Sequence, residues 1–270
     1  MNPPNRIDAA FARLKAAGRK GFVAYIAAGD PNLDATVDLS LALEQAGVDI
    51  LELGVPFSDP LADGIVNQLA AARALAAGTT LPKLLDAVRR IRRTSELPIV
   101  LFTYLNPVYM FGFARFLEEA AQAGVDGALF LDLPPDEAVC HEELRATSDA
   151  VKMIRLVAPT TPIERVREIA ASGGGFLYVI SREGVTGEQT ELATGLAAQA
   201  ASIRAVTDLP LAIGFGISTP EQARAAARHA DAVVVGSAIV KRVGEFGATP
   251  DLASRVADFV RPLVQAVQSV

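Results

Sequence analysis

Short apolar segments alternate with longer segments of helical periodicity along the whole chain. Apolar runs of roughly four to eight residues are typical of strands that are buried on both faces, as in a parallel sheet. The predicted strands are 22–26, 48–53, 98–102, 127–131, 151–157, 176–180, 211–214 and 232–235. The predicted helices include 33–46, 113–123, 163–171, 192–206 and 220–230, with further helices at 7–17 and 251–267.

Helix boundaries carry the residues that helix ends prefer. Gly47 and Gly124 each follow a predicted helix end, and Ser218-Thr219-Pro220-Glu221 is typical of a helix start. The first predicted strand is not followed by the glycine fingerprint of a doubly wound sheet. Eight strand–helix repeats therefore predict an α/β fold with one domain, residues 1–270: a (β/α)₈ TIM barrel. We expect an extra N-terminal helix and extra helices near loops 2 and 8.

The composition excludes several classes of binding partner and indicates the cellular compartment. A net charge of −6 argues against nucleic acid or an anionic membrane as the main partner. The single cysteine, Cys140, excludes an internal disulfide, and we interpret it as a reduced thiol in a cytoplasmic protein. No apolar run approaches the ~18–20 residues of a membrane span. The basic run Arg89, Arg90, Arg92 and Arg93 is interpreted as a solvated helix face.

The first candidate catalytic residues are the carboxylates of the segment 52–64. Glu52 stands among apolar neighbours, where desolvation raises the pKa of a carboxyl group and permits acid/base catalysis near neutral pH. Asp63 lies in a polar loop and is expected to remain an anion. The alternative is that these are ordinary surface acids or helix caps, and for Asp59 this is the preferred interpretation.

Two glycine-containing turns, 214–218 and 236–240, follow the seventh and eighth predicted strands. Glycine turns and a helix N-terminus expose N–H groups that bind anions, and barrels commonly place a phosphate site at these two loops. The alternative for each motif, taken alone, is that its glycines serve only to form a turn. The polar segment 181–191 follows the sixth strand and suits a mobile lid, although a solvated connection would look similar.

With these motifs in register, the chain resembles the tryptophan synthase alpha chain family nearly from end to end. The matching segments are 29–31, 52–64, 132–135, 158–162, 181–187, 214–218 and 236–240. The segments 52–64 and 181–187 are specific to this family, whereas the glycine turns recur in other phosphate-binding barrels. The resemblance implies retro-aldol cleavage of indole-3-glycerol phosphate to indole and glyceraldehyde 3-phosphate.

The resemblance also assigns roles to individual residues. It implies that Asp63 accepts the indole N–H and that Glu52 moves protons between the ring carbon and the glycerol hydroxyl. In the lid, which includes Arg182, Thr186 would hold Asp63 on closure. The implied phosphate ligands are Gly187, Gly216, Gly236 and Ser237. The implied indole pocket consists of Tyr25, Phe102, Tyr178 and Phe215.

A protein partner is implied as well. The family works with a beta chain that carries pyridoxal phosphate and receives indole through a tunnel, in an expected alpha2-beta2 tetramer. Asp59 and the turn at 104–107, with Asn106, would contact that chain. No metal and no organic cofactor are expected in this chain itself.

The chain departs from the family pattern at two places. Ile65-Val66-Asn67 follows Gly64, where proline is usual, and Asn67 replaces an apolar pocket residue. The stretch 228–232 is one residue short, and the shortening is expected to displace Gly236 and Ser237 slightly.

Three other functions compete with the coupled lyase. A stand-alone lyase would release free indole. A sugar-phosphate isomerase or epimerase would usually offer a metal cluster or an active-site Lys or His, which is not evident here. A non-catalytic barrel that only docks to a partner would not need intact Glu52, Asp63 and lid residues.

Overall fold

The predicted barrel is confirmed by a computed structural model that describes residues 4–138, 150–180, 189–214 and 216–270, with the backbone alone over 189–194. Eight parallel strands each pair with the next, and the last pairs with the first. They are β1 (Gly21–Ala27), β2 (Ile50–Gly54), β3 (Ile99–Thr103), β4 (Gly127–Phe130), β5 (Lys152–Val157), β6 (Leu177–Ile180), β7 (Leu211–Gly214) and β8 (Ala232–Val235).

Helices surround the strands. They are α1 (Arg6–Ala16), α2 (Leu33–Gln45), α3 (Ile65–Ala76), α4 (Leu81–Ile91), α5 (Leu105–Phe111), α6 (Phe113–Ala123), α7 (Pro135–Ala138), α8 (Ile163–Ala171), α9 (Gln189–Arg204), α10 (Pro220–Ala227), α11 (Ser237–Phe246) and α12 (Leu252–Gln268). The extra helices expected before β1 and in loops 2 and 8 are α1, α3 and α11. Within the described ranges, no helix is long and apolar enough to cross a membrane.

Alternation along the strands divides the apolar residues between two faces. In β2, Leu51 and Leu53 point outward and pack under the helices, whereas Ile50 points into the barrel. Helix α1 covers the bottom of the interior with Phe11 and Leu14. Because burying one such side chain contributes ~1.5–3 kcal/mol, these two layers dominate the stability of the fold. The lower interior of the barrel is therefore filled by side chains.

Loop 3 contains a helix that the sequence interpretation missed. Residues 104–107 were expected to form a turn, but Asn106 lies in α5. Pro107 falls in the first turn of this helix, where its missing N–H costs nothing. The Leu105 N–H donates to the Asp132 carboxylate over 2.6 Å, so a side chain from the neighbouring strand end caps the helix. This contact spans two strands and leaves no local signal in the sequence.

The interpretation of Arg92 as a solvated residue was wrong. Its side chain is 9% exposed, and its guanidinium donates to Asp126 over 2.7 Å and to the carbonyl oxygens of Leu97 and Gly124. Asp126 also accepts from Arg6, so the pair ties α1 to the bottom of the barrel. Arg92 follows the last residue of α4, and its direction is set by the turn rather than by helical periodicity.

Candidate active site

A cavity of about 410 Å³ opens at the carboxyl ends of the strands. Its floor consists of residues that face into the barrel. Each of them comes two positions after a residue that fills the lower interior of the barrel. The floor residues are Tyr25, Phe102, Leu131, Leu156, Tyr178, Gly214 and Val234. Glu52 stands two positions beyond the inward-facing Ile50, so it belongs to the same layer, to which it contributes a carboxyl group.

Aromatic rings form one wall of this cavity. The ring centroids of Tyr25 and Phe102 lie 5.1 Å apart in an edge-to-face arrangement, and those of Phe102 and Tyr178 lie 6.3 Å apart. Gly54 makes room for this wall, because a Cβ atom there would meet the Tyr25 hydroxyl at 2.3 Å. Such a surface suits a flat aromatic ligand.

Glu52 is fully buried in this apolar and aromatic layer. Neither of its carboxyl oxygens has a hydrogen-bond partner among the described residues. Desolvation raises its pKa to about 8, because burial penalises the charged form and no cation of the described residues offsets the penalty. At neutral pH, Glu52 is therefore mainly protonated and can give up a proton.

Asp63 lies on the wall of the same cavity, in the loop that leads to α3. The Tyr104 hydroxyl donates to its Oδ2 over 2.9 Å, and the Asn67 amide donates to its Oδ1 over 3.3 Å. Burial and the neighbouring Asp63 carboxylate raise the pKa of Tyr104, so its hydroxyl remains a donor. The hydroxyl oxygen accepts from the Ala62 N–H over 3.0 Å, which fixes the loop.

The contact between Tyr104 and Asp63 was missed in the sequence. Tyr104 belongs to the turn 104–107, which was expected to contact the partner chain, and no contact with Asp63 was predicted. Since 41 positions separate the two residues, their contact depends on the spacing of β2 and β3 in the closed barrel. The only available signal was that both follow neighbouring predicted strands.

The glycine turns of loops 7 and 8 meet on the same cavity. Gly216, with a positive φ of 67°, lies on its wall together with Gly236 and Ser237. Gly236 precedes the first turn of α11, where the N–H groups lack acceptors within the helix. Despite the shorter stretch before β8, the strand keeps its pairing with β1, and both loop 8 residues reach the cavity. The arrangement can bind an anion such as a phosphate.

The other candidates lie elsewhere. Arg182, Thr186, Gly187 and Phe215 fall outside the described residues, as does Cys140. Asp59 and Asn106 are exposed on the outer rim, away from the cavity wall. A second cavity, of about 340 Å³, lies between β5 and α8 and contains no carboxylate in its described lining. Asp63 and the glycine turns of loops 7 and 8 therefore line one cavity, and the fully buried Glu52 lies in the layer that forms its floor.

Comparison with known proteins identifies the family of this chain. The family model described as "Tryptophan synthase alpha chain" matches residues 11–268. The tryptophan synthase alpha chain of Citrifermentans bemidjiense is 48% identical over 265 residues, which cover 97% of this chain and 98% of that protein. That of Opitutus terrae is 49% identical over 249 residues, covering 92% of each chain.

Solved structures give the same result. The crystal structure of tryptophan synthase subunit alpha from Legionella pneumophila superimposes with a TM-score of 0.89 at 38% identity, covering 99% of this chain and 100% of that one. A chain of tryptophan synthase from Mycobacterium tuberculosis gives a TM-score of 0.86 at 31% identity, with 98% and 99% covered. The chain therefore belongs to the tryptophan synthase alpha chain family, the lyases of tryptophan biosynthesis that cleave indole-3-glycerol phosphate.

Proposed function

We propose that Glu52 and Asp63 carry the acid/base chemistry of indole-3-glycerol phosphate cleavage in this chain. The observation that supports this most directly is the buried carboxyl of Glu52, which has no hydrogen-bond partner among the described residues and is held at a pKa of about 8 beside an aromatic-lined cavity. Asp63, in contrast, accepts hydrogen bonds from two donors, Tyr104 and Asn67. The two carboxyl groups are thus in different states: Glu52 is desolvated and mainly protonated, whereas Asp63 acts as a hydrogen-bond acceptor.

The proposed sequence of proton transfers follows from these states. Protonated Glu52 gives its proton to the indole ring carbon that bears the glycerol chain, which turns the ring into a cationic indolenine. Asp63 accepts the hydrogen bond of the ring N–H and stabilises that positive charge. The Glu52 carboxylate then takes the proton of the adjacent glycerol hydroxyl. The carbon–carbon bond breaks as its electron pair returns to the ring, and Glu52 is again protonated.

Different parts of the cavity would bind the indole ring and the phosphate of the substrate. The aromatic wall of Tyr25, Phe102 and Tyr178 would hold the indole ring, and the Phe215 side chain is proposed to complete it. Gly216, Gly236 and Ser237 would bind the phosphate through their N–H groups, together with Gly187. Arg182 and Thr186 would belong to the lid, and Thr186 would contact Asp63 on closure.

The family also provides the setting of the reaction. The alpha chain acts with a beta chain, which carries the pyridoxal phosphate, while the alpha chain has no cofactor of its own. We extend this to an alpha2-beta2 tetramer in the cytoplasm, with residues 1–270 as one domain. Asp59 and Asn106 would contact the beta chain, since both are exposed at the rim.

The roles of the two acids are tested by Glu52→Gln and Asp63→Asn. Each variant is expected to lower turnover of indole-3-glycerol phosphate by at least ~10²-fold, the scale of a lost acid/base group. Asp59→Asn serves as the control and should leave turnover of the isolated chain unchanged, because its carboxylate lies outside the cavity. Activity within a few-fold of wild type in Glu52→Gln or Asp63→Asn would remove that residue from the mechanism.

Coupling to the partner is tested by following indole release with and without a pyridoxal phosphate beta chain. Slow release that rises sharply with the partner would support the coupled lyase. Fast release by the chain alone would favour the stand-alone lyase instead. The mass of the purified complex, measured by light scattering, tests the tetramer.

A further inference from the structure

Asn67 occupies an unusual environment in the first turn of α3. Its side chain lies on the wall of the active-site cavity, and its amide N–H donates to the Oδ1 atom of Asp63 over 3.3 Å. The Oδ1 atom of Asn67 itself is buried and finds no hydrogen-bond partner in the part of the chain that the structure describes. The N–H of this amide therefore makes a hydrogen bond, whereas its buried oxygen has none among the described residues.

A buried carbonyl oxygen without a hydrogen-bond donor lowers the stability of the folded state, because it loses its hydrogen bonds to water and gains none in return. An apolar side chain of the same size, such as leucine, would avoid that loss at this position. Stability therefore does not account for an asparagine here. What an asparagine supplies and a leucine cannot is the N–H group that points to Asp63.

The Asp63 carboxylate is held from two sides. Tyr104, after β3, donates to Oδ2, and Asn67, from α3, donates to Oδ1. The main chain of Asp63 is held separately: its N–H donates to the carbonyl oxygen of Pro60, and its carbonyl oxygen accepts from the Gln68 side chain over 2.8 Å. The contact from Asn67 thus acts on the direction of the carboxylate and not on the path of the loop.

We propose that Asn67 is a positioning residue for Asp63, which orients the carboxylate toward the indole N–H before substrate binds. This inference rests on the proposed role of Asp63 as the acceptor of that N–H. Orientation in advance matters because an acceptor that must first rotate into place loses much of its effect in the transition state. Asn67 touches the carboxylate rather than the reacting atoms.

The test compares Asn67→Leu and Asn67→Ala with the wild-type chain, alone and with a beta chain. Both variants lose the N–H, and we expect kcat to fall by about tenfold or more with KM changed less than about threefold, the pattern of a contact that acts in the transition state. Asn67→Leu should also melt at the same or a higher temperature, because it removes the buried oxygen. A merely structural role would lower the melting temperature and leave kcat per folded molecule unchanged.

The matched control is Gln68→Ala, one position further along α3. Its side chain contacts the main chain of Asp63 and not the carboxylate, so kcat should change less than about threefold. A kcat within twofold of wild type in Asn67→Leu overturns the inference, as does a melting temperature that falls in that variant. Because Asp63→Asn is measured in parallel, an active Asp63→Asn would count against the proposed function itself, whereas an inactive one with an active Asn67→Leu would count against this inference alone.

Discussion

Glu52 and Asp63 lie in different surroundings. Desolvation controls the protonation of Glu52, since its oxygens lie in a layer of aromatic and aliphatic side chains and have no hydrogen-bond partner in the part of the chain that the structure describes. Asp63 instead accepts hydrogen bonds from Tyr104 and Asn67, which fix the direction of its carboxylate. Burial also raises the pKa of Tyr25 and Tyr178, and the nearby Glu52 adds to both shifts, so these rings remain neutral. Glu52, beside the cavity, can thus give a proton, and Asp63, on the cavity wall, can accept a hydrogen bond.

The raised pKa of Glu52 predicts a specific dependence of stability on pH. Between the ordinary value of an unfolded glutamate and about 8, the folded state keeps a proton that the unfolded state releases. This contribution is fully present at low pH and decreases by about 1.4 kcal/mol per pH unit as the pH rises toward 8. We therefore expect Glu52→Gln to become progressively more stable than wild type between pH 5 and 8, as measured by urea unfolding midpoints.

The comparison with wild type is what isolates this group, because all other titrating residues are common to both proteins. A difference in stability that stays constant from pH 5 to 8 would contradict the raised pKa. Such a result would mean that Glu52 is hydrated or paired in solution.

At the scale of elements, the loops after the strands carry the chemistry and the helices orient them. Loop 2 carries Asp63 into α3, and loop 8 carries Gly236 into α11. The two helices pack against each other, and a Cβ atom on Gly244 would come within 2.9 Å of the Arg73 guanidinium. Arg73 in turn donates to the buried Asp30 in loop 1 through two hydrogen bonds. The loops that carry Asp63 and Gly236 are therefore connected through the packed helices α3 and α11.

Asp132 caps helix α5 and has no proposed role in catalysis, so its substitution tests a purely structural contact. Its carboxylate caps α5 through the Leu105 N–H, so Asp132→Ala is expected to destabilise the fold by about 1 kcal/mol, the usual scale of a lost cap. Turnover of the isolated chain should change less than about twofold. Urea unfolding and indole release measure the two quantities, and Asp132→Asn, which keeps an acceptor oxygen, should retain most of the stability.

A large loss of turnover in Asp132→Ala, with the stability unchanged, would instead place this carboxylate among the chemical groups. The structure argues against that, since Asp132 is absent from the described lining of the cavity.

At the scale of the whole molecule, the rim of the barrel is unusually apolar next to the cavity. Leu61 is 92% exposed, Met110 is 76% exposed and Tyr109 is 62% exposed. They lie in loop 2 and α5, the same two segments that contain Asp59 and Asn106. Exposed apolar side chains gathered in this way are typical of a surface that another protein covers. We assign this rim to the beta chain contact.

Met110→Asp is expected to raise the beta chain concentration needed for half-maximal stimulation by at least about tenfold, because a charge would be buried in the contact. Turnover of the isolated chain should stay unchanged, since Met110 lies outside the cavity wall. Titrating the beta chain into a fixed amount of alpha chain, with indole formation as the readout, measures both effects. Met110→Leu is the matched control, and equal stimulation of Met110→Asp and wild type would remove this surface from the contact.

Much of the architecture was readable from local patterns. The predicted strands agree with the observed ones to within two residues, because runs buried on both faces stand out from the amphipathic helices between them. The helix 163–171 and the cap at Thr219 were also predicted correctly, since helix ends depend on a few adjacent residues. The burial of Glu52 was inferred from Leu51 and Leu53, yet these face outward, and its desolvation comes from the residues opposite it in the barrel.

The sequence by itself determined the order of the elements, the closed barrel and the loops that carry the acids and the glycine turns. These depend on periodicity, turn residues and helix ends, which act over a few neighbouring positions. The tertiary structure alone decided that Tyr104 contacts Asp63, that Arg92 is buried against Asp126, and that one oxygen of Asn67 lies beside the cavity without a hydrogen-bond partner among the described residues. Such contacts join side chains from different strands and helices, so they follow from the register of the strands and the packing of the helices around them, which no local segment encodes.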